Sequence, residues 1–92
     1  MNAWERALLT FLSSEEDETS NAADGLLNEA GQMQHRLAGA YHTIGMRHLA
    51  IGNKWEAEEN LRNSFEKTAA SYWPLPFWSL ALAEQLKSEQ AE

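Results

Sequence analysis

From Leu26 to Ile51 the residues Leu26, Ala30, Met33, Leu37, Tyr41, Ile44, His48 and Ile51 follow one another at steps of four and three. Such steps keep side chains on one face of a helix, and no stretch of the chain alternates polar and apolar residues as a half-buried strand does. The spacing predicts a single long helix over 22–51, capped by Asn21 and ended by Gly52. A helix of that span is about 45 Å long at 1.5 Å per residue. A compact chain of 92 residues has a radius of gyration of only ~12 Å. The helix must therefore break near Gly31 or belong to an elongated or oligomeric assembly. Because the periodicity runs through Gly31, the expectation is a continuous helix and a homo-oligomer, most simply a two-fold dimer.

The rest of the chain also reads as helix, so the expected fold class is all-α, with about four helices in one domain over 1–92. A first helix over 3–12 carries Trp4, Ala7, Leu8, Phe11 and Leu12 on one stripe, and Asn2 and Glu5 have the spacing of a capping box. Residues 13–21 read as an acidic loop, because Glu15, Glu16, Asp17 and Glu18 repel one another in a row. Asn53 and Glu56 open a helix over 54–72, with Ala57, Leu61, Ser64, Phe65, Thr68 and Tyr72 on its inner face. Pro74 stops it, and Pro76 suits the first turn of a last helix over 76–88, with Trp78, Leu82 and Leu86 together on one face.

Charge and composition remove several function classes. The formal net charge is −7, against the basic footprint that nucleic acid or an anionic membrane surface demands. There is no Cys, which excludes disulfides, thiolate metal sites and cysteine nucleophiles. No apolar run approaches the ~18 residues of a membrane span. The first residues lack a basic segment leading into an apolar one, so the expected location is the cytoplasm.

Gly31, Ala38, Gly45 and Gly52 recur every seven residues. A small side chain lets a neighbouring helix come close, which compensates the cost of glycine inside a helix. Tyr41, Ile44 and Gly45, then Gly52, Ala57, Leu61, Ser64 and Phe65, resemble the pattern of a tetratricopeptide (TPR) repeat. The likeness covers about residues 38–70, close to one repeat of about 34 residues. His48 stands where an aromatic is usual, Trp55 lies one place late, and Ala69 takes the usual proline position. The resemblance implies an antiparallel helical hairpin with flanking N- and C-terminal helices, and a protein–protein interaction function. A lone repeat cannot bury its own faces, so the flanking helices or a second chain must cover it.

His35, Gly39, His42, Met46 and Leu49 form a second stripe. In TPR proteins the corresponding face, here Gly39, His42, Met46 and Leu49, lines a concave peptide-binding groove. The resemblance thus nominates it as the partner-binding site, with burial beneath the first helix as the alternative. The run Tyr72 to Trp78 is rich in aromatics, and Trp73, Phe77 and Trp78 are candidate interface anchors unless the corner buries them. The expected partner is a protein, a peptide or another copy of the chain.

Residues 31–55 hold Arg36, Arg47, Lys54 and all three histidines with no acid, whereas the flanking segments are acidic. The expectation is that this basic arm pairs internally with Glu56, Glu58 and Glu59. A competing function is an acidic inhibitor or nucleic-acid mimic acting through Glu15–Glu18 or Glu56–Glu59. Arg36 and His42 also match the loose Arg-x(4–6)-His spacing of HEPN ribonucleases, although Leu37 follows the Arg where that family carries a polar residue. His35 and His42 stand two turns apart, ~10.5 Å along a helix, too far to share a metal ion unaided. No metal, cofactor or catalytic residue is assigned.

Overall fold

The computed structural model describes residues 2–68 and 75–90. It holds five α-helices rather than four: α1 (Ala3–Leu12), α2 (Thr19–Ala30), α3 (Gln34–Ala50), α4 (Lys54–Thr68) and α5 (Leu75–Gln90). There is no strand among the described residues. α1 starts as its sequence dictates, with the Asn2 side chain accepting the Glu5 amide at 2.8 Å.

The long helix over 22–51 is broken, and the break is at Gly31. Its φ of +58° lies in the left-handed region that glycine enters without a Cβ clash. Its N–H bonds back to the Leu27 carbonyl at 3.2 Å, closing α2 before α3 begins. The four-and-three spacing survives the turn because both helices face one core: Leu26 and Ala30 from α2 meet Ala40 and Ile44 from α3 and Phe11 from α1. With the helix divided, its overhang no longer argues for an oligomer. The heptad series of small residues divides too. Gly31 and Gly52, at φ +58° and +84°, end helices, while Ala38 and Gly45 are packing positions.

The acids at 15–18 form no open loop. Glu16–Glu18 is a 3-10 turn, and the side chain of Glu18 accepts the Glu15 amide at 3.3 Å while Glu15 caps the turn in return. The carboxylates occupy the start of a helical segment, where backbone N–H groups and the helix dipole offset their repulsion.

α3 packs on α2, α4 and α5, so the chain zigzags, with α1, α3 and α5 in one layer and α2 and α4 in the other. The slab measures 43 × 33 × 14 Å. α3 and α4 run antiparallel, with Gly45 against Ala57 and Leu61, and the Ser64 hydroxyl donating to the Ala38 carbonyl at 3.0 Å. A Cβ at residue 45 would stand 2.7 Å from Leu61 Cγ. A second cluster, Ala57, Leu61, Ala83 and Leu86 with Leu49 and Leu82 beside it, joins α3, α4 and α5. On α5 the expected face is rotated. Leu82 and Leu86 turn inward with Ser79 and Ala83, whereas Trp78 is 66% exposed. Leu12 likewise leaves the expected α1 stripe for the surface.

Candidate functional site

Going around α3, each flank has a different neighbour. Arg36 lies over the Trp4 ring of α1, 5.5 Å from its centroid. Arg47 donates to the Ser14 carbonyl at 2.7 Å. Ala38 and Gly45 meet α4, and His42 and Leu49 meet α5. Helical phase leaves His35, Gly39 and Met46 between the α1 and α5 flanks. His35 and Met46 are exposed, and nothing stands within 4 Å of a Cβ built at Gly39.

The nominated stripe is therefore split. α5 engages His42 and Leu49, while His35, Gly39 and Met46 form an open strip. Trp78 flanks it, because the same phase argument sets Trp78 on the side of α5 away from the α4 contacts of Phe77 and Glu84. Phe77 is exposed but rests edge-on against Phe65 of α4, with ring centroids 5.5 Å apart. Trp73 lies outside the described residues, as do Tyr72 and Pro74.

The α3–α5 seam is closed by polar contacts. His42 Nδ1 is 2.8 Å from the Ser79 hydroxyl, Ser79 donates to Ser64 at 3.1 Å, and Ser64 donates to the Ala38 carbonyl. With the hydroxyl protons running that way, the neutral ring carries its proton on Nδ1. Burial holds the His42 imidazole below its ordinary pKa of 6.5. Ser79 is fully buried, so it is a structural link between three helices rather than an accessible nucleophile. The sequence shows no signal for this chain, since its members stand 37 and 15 residues apart.

Arg36 and His42 are directed to different helices, and the structure does not bring them together as a ribonuclease pair. Among the described residues the basic arm makes one ion pair, from Lys54, and its arginines go to a ring and a backbone carbonyl rather than to Glu56, Glu58, Glu59 or their neighbours. Arg36 and Arg47 are used as above, and Lys54 meets Glu89 at 3.7 Å. Glu58 pairs instead with Arg62, which also holds Glu84. Among the described residues no group of three or more His, Asp or Glu can hold a metal ion. No helix there is long and apolar enough to cross a membrane. No family model matches the chain, and neither a curated protein nor a solved structure matches it.

Proposed function

We propose that the chain is a non-enzymatic protein-interaction module with a TPR-like stack of helices, and that the layer of α1, α3 and α5 presents its binding face. The carrying observation is the exposure of Met46 in the strip through Gly39 and of Trp78 beside it. Large apolar side chains beside an open small-residue position are what a partner helix or apolar peptide needs, and Trp is a favoured anchor. Leu9 and Leu12, exposed on the flank of α1 away from Ala3 and Ala7, extend the apolar character of this layer. The TPR-like reading draws support from the zigzag of helices and from Gly45 seated against Ala57 and Leu61, the positions that the resemblance gives to close approach.

Selection of peptides from a random display library against the folded protein tests the reading. Selected peptides are expected to be apolar, to tolerate salt, and to lose binding to Met46→Glu and Trp78→Ala. Peptides that bind both variants as well as wild type would overturn it. Steeply salt-dependent binding through Glu15–Glu18 would favour the acidic-mimic function instead.

A further inference from the structure

The chain holds 14 acids against 7 Lys and Arg, yet no acid stands on α3, which carries Arg36, Arg47 and all three histidines. Neither Arg36 nor Arg47 is in an ion pair with any described residue. Arginine keeps its charge at any working pH, so two cations stand unneutralised in an acid-rich chain. Their separation along α3 is three helical turns, which returns both to one edge about 16 Å apart. That edge is the α1 side of the open strip through His35, Gly39 and Met46, and Trp78 flanks the other side. Both guanidinium groups are held by partners that leave the charge untouched. Arg36 lies over the Trp4 ring, 5.5 Å from its centroid. Arg47 donates from one terminal nitrogen to the Ser14 carbonyl at 2.7 Å, which leaves most of its N–H groups to spare. A guanidinium fixed in this way loses little freedom when it takes up a carboxylate.

We infer, building on the interaction face proposed above, that the partner of this strip is an acidic amphipathic helix of a separate protein. Its apolar face meets Gly39, Met46 and Trp78, and two of its carboxylates, three turns apart on one edge, meet Arg36 and Arg47. The spacing of the arginines selects a helix over an extended peptide. A partner helix repeats an edge position after three turns, at the same ~16 Å. An extended peptide shows side chains on one side at even steps only, about 13 or 20 Å apart. Gly39 admits the approach, since nothing stands within 4 Å of a Cβ built there. The net charge of −7 resides on the other helices and the turns. At physiological salt the field of an exposed charge fades over ~8 Å, so the local sign at the strip governs. The apolar contacts supply most of the affinity, and the two arginines fix the sign and register of what binds.

The test is fluorescence anisotropy of three labelled peptides titrated with the full chain. Each is a helix of about 16 residues on an alanine–glutamine background, with leucines at steps of four and three. Two positions three turns apart at one edge of the leucine stripe are both Glu, both Gln or both Lys. The Glu peptide should bind about three- to tenfold tighter than the Gln peptide at low salt, with the Lys peptide weakest. Added NaCl should bring the Glu peptide down to the Gln level and no further. Arg36→Gln/Arg47→Gln should erase the preference and leave the Gln peptide unchanged, whereas Lys67→Gln, on α4, should keep it. Met46→Glu should weaken all three peptides. The peptide series is read on the wild-type chain, so it decides even if the double variant does not fold. Equal binding of the three peptides, or a preference that survives in the folded double variant, would overturn the acidic helix and leave the interaction face standing. If none of the three binds, the acidic helix is overturned, and the library selection decides the face by itself. A free protein that is dimeric by light scattering, and that the Glu peptide makes monomeric, would place a second copy in the strip and overturn the separate partner.

Discussion

The two clusters on either side of α3 are built on different principles. The α1–α2–α3 cluster sets Phe11, Leu26 and Ile44 among the alanines Ala23, Ala30 and Ala40, with Trp4, Leu8, Leu27 and Leu37 around them, and is joined by apolar packing. The α3–α4–α5 junction uses small residues, Gly45, Ala57 and Ala83, with Leu61 and Leu86, and ties its helices by a buried run of hydrogen bonds from His42 through Ser79 and Ser64 to Ala38. Apolar packing holds the first region, and the second adds a glycine close approach and a polar register. A space-filling core tolerates a shift of neighbouring side chains, whereas a small-residue seam with hydrogen bonds accepts one register.

The contrast breaks most severely where volume is largest. Phe11→Ala should cost about 3–5 kcal/mol, read as a large fall in the urea midpoint, with α1 lost first. Gly45→Leu comes next. It sets a branched side chain where even a Cβ meets Leu61 at 2.7 Å, so overpacking should cost about 1–3 kcal/mol. If it melts like wild type, close approach does not hold the second region.

Ser79→Ala sharpens the comparison without changing shape. It removes the hydroxyl that joins His42 to Ser64, at about 1–3 kcal/mol, and should loosen α5 while the first cluster keeps its hydrogen-exchange protection. The pH dependence follows from His42. Its native pKa lies below the unfolded 6.5, so the unfolded chain takes up the proton first. This contribution to stability is complete above that unfolded value and is lost as the pH falls from there to the lowered native value. His42→Gln should flatten that part of the curve, and an unchanged slope in thermal melts across this window would count against a buried neutral ring. The smallest effect belongs to the open strip. Met46→Glu should stay within about 0.5 kcal/mol of wild type in stability while abolishing binding of the selected peptides.

These regions also differed in how legible they were. The α1 cap was readable from Asn2 and Glu5, and the place of Gly45 against Ala57 and Leu61 from small residues at helical spacing. Gly31 was harder, because two helices that share one core give the same periodicity as one continuous helix. Trp78 was misplaced for a related reason. An inward stripe is assigned to the largest apolar residue, yet here the inner position goes to Ser79, whose bonds to α3 and α4 are invisible in local spacing.

In a slab two helices thick, α3 is, among the described residues, the helix that contributes to both clusters. α1 and α2 belong only to the first, and α4 and α5 only to the second. Either end of the molecule can therefore come apart while the other stays assembled, but α3 is released only when both have gone. Opening proceeds from the two ends inward, and the amides of α3 set the upper limit of protection for the whole chain.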